Sequence, residues 1–105
     1  MDQERLVHLK GEELRIGIGY IKLAGSTVHL TAKEFSILCA IFDARLGGIT
    51  IAEIGTQLEA QTSNDLSSLV TSYVHTTNKK LAALSDGQIA IKWNRKDNIY
   101  YLAVL

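Results

Sequence analysis

The chain has 105 residues, 47% of them apolar, with one cysteine, no proline, and eleven acidic residues balanced by eleven basic ones to a formal net charge of zero. That length suits one domain with its own core, and apolar runs of only a few residues exclude a bilayer-spanning helix or a secretory leader, so a cytoplasmic protein is expected. A neutral chain does not favour nucleic-acid binding, which calls for surplus Lys and Arg, and the lone Cys39 excludes an internal disulfide and reads as a small buried apolar residue.

Three short strand-like pieces come first, near Arg5 to Lys10, Glu13 to Gly17 and Tyr20 to Ala24, separated by Gly11, by Gly17 with Gly19, and by Gly25-Ser26. With Thr27 to Leu30 they predict a four-stranded antiparallel meander over residues 5–30, because the connections are too short for parallel crossovers. In VHLTAKEFSILCAIF, residues 28 to 42, the apolar period changes from two to helical at Thr31, and Phe35, Leu38, Ile41 and Phe42 then fall on one side. Thr31 can accept from the first-turn amides while Glu34 reaches back to the Thr31 amide, which is a capping box. The helix it opens is expected to run to about Leu46, ended by Gly47-Gly48.

Thr50-Ile51-Ala52-Glu53 is a second capping box, opening a shorter helix to about Leu58 with Ile51, Ile54 and Leu58 at helical spacing. A polar loop, Gln61, Thr62, Ser63 and Asn64, leads to a third helix from about Asp65 to Leu84. Its expected buried side is Leu66, Leu69, Val70, Tyr73, Val74, Leu81 and Leu84, and Ser85-Asp86-Gly87 stops it. Ile89, Ile91 and Trp93 then alternate, Asn94 to Asn98 make a polar turn, and Ile99 to Val104 complete a terminal hairpin over residues 88–104.

Little in this order suggests catalysis. His8, His29 and His75 lie far apart without cysteine partners or a metal-binding spacing, so no metal or cofactor is expected. Gly17-Ile18-Gly19 lies between strands, where a phosphate-binding fingerprint would need a following helix, and reads as a turn. Glu12 with Glu13, and Asp43 with Glu53 and Glu59, have no recognisable nucleophile or base beside them, so an enzyme is not expected. Trp93, Tyr100 and Tyr101 read as packing residues of the hairpin, with base stacking as the other use.

Charge, by contrast, is unevenly placed. Residues 1 to 62 hold eight acids and six bases, whereas residues 63 to 105 hold three acids and five bases. Two short helices, a longer third one and a hairpin, with the three-helix core at residues 31–84, is the wiring of a winged helix-turn-helix in an α+β chain. The third helix is there offered to a DNA groove and the hairpin is the wing.

Val28, Leu30, Thr31, Glu34, Phe35 and Leu38 resemble the strand-to-helix signature V-x-L-T-x-x-E-F-x-I-L of OmpR/PhoB-type effector domains of bacterial transcriptional regulators. Val70, Val74, Lys80 and Leu81 are similar to that family's recognition helix, and Tyr100 with Leu102 to the G-Y-x-L ending of its wing. The likeness covers the chain from about Leu6 to the terminus. It implies a two-component output domain that binds double-stranded DNA, commonly as a dimer, with a loop near Gln57 to Asn64 available to RNA polymerase or another regulator. Departures fall at the DNA-facing places: Thr76 and Asn78 stand where basic residues are usual, Thr77 where leucine is, and the turn from Arg95 to Ile99 has no glycine.

Candidate DNA contacts are therefore Thr71, Ser72, His75, Thr76, Asn78, Lys79 and Lys80 on the third helix, with Lys92, Arg95 and Lys96 on the hairpin. Lys and Arg neutralise phosphates, Thr and Asn bond phosphate oxygens or base edges, and a threonine methyl can touch a thymine methyl. The rival expectation is a winged-helix module that has given up DNA and acts through protein partners or homodimerisation, supported by the neutral charge and the apolar hairpin.

Overall fold

A computed structural model of the chain describes residues 4–57 and 66–104. Within them the expected order is present: an N-terminal four-stranded antiparallel sheet, three helices and a C-terminal two-stranded hairpin, an α+β arrangement. No helix among the described residues is long and apolar enough to cross a membrane.

Strands β1 (Arg5–Leu9), β2 (Glu12–Gly17), β3 (Tyr20–Leu23) and β4 (Ser26–His29) pair in sequence order. The register sets Val7 opposite Leu14 and Ile16 opposite Ile21. Strand alternation sends Val7, Leu9, Leu14, Ile16, Ile21 and Leu23 to one buried face and His8, Arg15 and Lys22 to water. His29 on β4 is exposed as well.

Helix α1 (Ala32–Asp43) covers that face with Phe35, Ile37, Leu38 and Ile41. Its capping box is complete: the Glu34 amide donates to Thr31 Oγ1 at 3.2 Å and the Thr31 amide to Glu34 Oε1 at 2.9 Å. The α-helix stops at Asp43, short of Leu46. A 3-10 turn over Arg45–Gly47 follows, and Arg45 itself takes a φ of 59°, a left-handed conformation that ends α-helical hydrogen bonding.

Gly48, at φ +77°, then passes so close to the hairpin that an added Cβ would lie 2.4 Å from Ile99 Cδ1, so only glycine fits. Beyond it Ile49 exchanges two backbone hydrogen bonds with Tyr100, at 2.9 and 2.8 Å. The segment between the first two helices is thus laced to the C-terminal hairpin.

Helix α2 (Ile51–Gln57) carries the second capping box between Thr50 and Glu53 and buries Ile54. The expected end at Leu58, the loop to Asn64 and the start at Asp65 lie outside the described residues. Gly55 lets α2 approach α3 (Leu66–Ser85), since a Cβ there would meet Leu66 at 2.7 Å.

The buried arc of α3 is centred on Val70, Val74, Thr77 and Leu81. One residue turns a helix by about 100°, and from Val70 that step carries Leu69 to the margin, where it is 40% exposed and not buried as its spacing suggested. Strands β5 (Ile89–Asn94) and β6 (Ile99–Val104) form the hairpin, with Ile91 opposite Leu102 and Trp93 opposite Tyr100. Its glycine-free turn is built on two asparagines: Asn94 Oδ1 accepts from the Lys96 and Asp97 amides, and Asn98 takes the left-handed φ of 53°.

Candidate nucleic-acid interface

Residues of α3 divide by direction into an inner side fastened to the rest of the fold and an outer side in water. On the inner side, Lys80 Nζ donates to Glu34 Oε1 at 2.6 Å, joining the start of α1 to α3. Glu34 is only 2% exposed. Burial pushes its carboxyl up, but hydrogen bonds from Lys80, the Thr31 amide and the Thr76 and Thr31 hydroxyls outweigh that and hold it at about 2.

Asn78 is engaged at both ends of its amide. Its Nδ2 donates to the Ile91 carbonyl at 2.9 Å and its Oδ1 accepts from the Ile91 amide at 2.6 Å, satisfying the outward edge of β5. Ser85 Oγ accepts from the Ile89 amide in the same way. Residue numbers fall along α3 as they rise along β5, so the strand runs antiparallel to the helix. The two clamps make helix and hairpin one rigid unit. Thr77 is fully buried and donates its hydroxyl to the Tyr73 carbonyl at 2.7 Å, which lets a polar side chain sit in the core.

The outer side holds Ser68, Ser72, His75 and Lys79 along one exposed stripe, with Thr71 on its hairpin edge and Thr76 on the other. Thr76 is exposed, and the one proton of its hydroxyl goes either to the Tyr73 carbonyl, at 3.1 Å, or to Glu34. From Leu66 to Ser85 the helix has no Asp or Glu. On the hairpin, Lys92, Arg95 and Lys96 are exposed. Among the described residues none of the ion pairs involves Lys79 or these three cations.

Of the ten residues singled out in the sequence, eight therefore reach the surface of the helix–hairpin unit, while Asn78 and Lys80 serve its internal joints. Tyr100 is buried and Tyr101 half-buried; Trp93, tilted against Tyr100 at 4.6 Å between centroids, stays 40% exposed. Leu69 is the α3 surface residue that sequence reading placed inside. A helical wheel centred on Val70 and Thr77 would have found it, had the buried threonine been known.

No group of His, Cys, Asp and Glu among the described residues is arranged to hold a metal ion. No protein-family model matches the chain, and no curated protein matches it in sequence.

Proposed function

We propose that the chain is a winged helix-turn-helix DNA-binding domain of a transcriptional regulator, with α3 entering the major groove and the hairpin lying on the flanking backbone. The observation that carries this reading is the acid-free outer side of α3, with Lys79, fastened to a hairpin whose Lys92, Arg95 and Lys96 have no carboxylate partner among the described residues. An α-helix with its side chains is about 10–12 Å wide and the B-DNA major groove about 12 Å. The lacing of Ile49 to Tyr100 supports the wing assignment, because it ties the hairpin to the helical core as a third short strand would. The OmpR/PhoB-type resemblance agrees with this wiring.

Four cations neutralise at most about four phosphates, so affinity for any duplex is modest and steeply weakened by salt. Ser72, Thr71 and His75 supply donors and acceptors to phosphates and base edges from between them. A second copy on an adjacent half-site would add the affinity that four cations do not provide.

Fluorescence anisotropy of a labelled random-sequence duplex tests the reading. Binding at about 50 mM salt that weakens strongly by about 200 mM is expected; no binding at the lower salt would overturn it. The exposed Trp93 favours a second reading, a hairpin that docks on protein. Under that reading Trp93→Ala abolishes partner binding and salt has little effect.

A further inference from the structure

Resting on the duplex-DNA reading above, the groups that α3 leaves open narrow the kind of base pair it can recognise. Major-groove reading ordinarily relies on bidentate Arg or Lys at guanine and bidentate Asn or Gln at adenine. Helix α3 contains no Arg or Gln. Its one carboxamide, Asn78, has both ends bonded to Ile91, and Lys80 is held by Glu34. Lys79 alone remains of the strong readers, accompanied by short hydroxyls and His75.

Leu69, Thr76 and Ala83, seven residues apart, are exposed on the Tyr73 side of the outer face, and the first two carry its larger apolar groups. Leu69 is a large aliphatic side chain 40% exposed. The Thr76 hydroxyl is turned back to the Tyr73 carbonyl, which leaves its methyl as the group available to a ligand. The two are seven residues apart, hence on one stripe, about 10.5 Å along the axis, or about three base-pair steps. We infer that this face selects duplexes bearing C5-methyl groups in the major groove, thymines roughly three steps apart, through apolar contact with Leu69 and Thr76. The chemistry matches: thymine is the base that displays a methyl there, and aliphatic or threonine methyls are its ordinary partners.

Anisotropy against an alternating dA·dT duplex and its uracil counterpart, which lacks only the C5 methyls, isolates this contact. Each lost methyl contact should weaken binding about fourfold, so roughly fifteenfold is expected for the pair. A dG·dC duplex carrying 5-methylcytosine should bind tighter than the unmethylated one by a similar factor. Leu69→Ala, at an exposed position and checked for folding by circular dichroism, should reduce the thymine-to-uracil ratio to about fourfold. Equal binding of thymine and uracil duplexes, with salt dependence intact, would overturn the inference and leave the DNA reading standing. Absence of binding to every duplex would overturn both.

Discussion

Lys79 and Lys80 stand side by side on α3 and meet opposite surroundings. Lys80 is half-buried, donates to a buried carboxylate at 2.6 Å and joins two helices; Lys79 is exposed and has no acidic partner among the described residues. The same division runs along the whole helix, with Asn78, Thr77 and Ser85 bonded into the fold and Ser68, Ser72 and His75 in water. Polar residue type alone therefore does not mark a binding residue. On the N-terminal sheet the pattern differs again, since Arg5 meets Asp43 and Arg15 meets Glu4 and Glu13. Lys10 and Lys22 on the sheet also lack a carboxylate partner among the described residues; what sets α3 apart is that no Asp or Glu occurs anywhere along it.

The largest expected effect is at the inner joint. Lys80→Ala leaves a buried carboxylate without its counter-charge and should cost about 3 kcal/mol in urea unfolding. A cost within the range of ordinary surface substitutions, about 0.5 kcal/mol, would show that the pair does not hold the helices together.

Acid offers a second way to break the same joint. Glu34 has its carboxyl lowered from 4.5 to about 2 in the fold. A depressed folded value means that the unfolded chain binds the proton more readily, so this contribution is fully present above the unfolded value and is lost as pH falls towards 2. Wild-type stability should drop by on the order of 2–3 kcal/mol from this group between about pH 5 and about pH 2. In Lys80→Ala that acid-dependent drop should shrink, and an unchanged drop would assign the acid sensitivity elsewhere.

Asn78→Leu tests the joint between helix and hairpin. It strips two partners from the Ile91 backbone and should cost about 2 kcal/mol, with faster amide exchange at Ile91; unaltered exchange there would mean that the clamp is not what holds β5. Smallest of all for stability is Lys79→Ala, within about 0.5 kcal/mol by thermal or urea unfolding.

Much of this architecture was legible in the residues, because local chemistry writes it. Both capping boxes, Thr31 with Glu34 and Thr50 with Glu53, use partners three residues apart, and the alternation of β1 to β3 is carried by each strand alone. What the residues concealed is tertiary. The bridge between Ile49 and Tyr100 joins segments distant in sequence, and α1 ends early because Arg45 adopts a left-handed φ that its residue type does not announce.

The candidate site was legible in part for the same reason. Which polar side chains face water on α3 depends on the orientation of the helix, and its buried arc includes a threonine, Thr77, that residue type alone would leave on the polar side. Thr77 in the core turns Leu69 outward; Asn78 and Lys80, chosen in the sequence as ligand contacts, are committed to Ile91 and Glu34.

The most direct test of the inner and outer assignment is the salt dependence of duplex binding by wild type, Lys79→Ala and Lys80→Gln, each at a temperature where it is folded. The log-log slope of affinity against salt should be about 0.9 shallower for Lys79→Ala and unchanged for Lys80→Gln. An equal loss at both positions would show Lys80 leaving Glu34 for a phosphate, and a wild-type affinity indifferent to salt would contradict the account altogether.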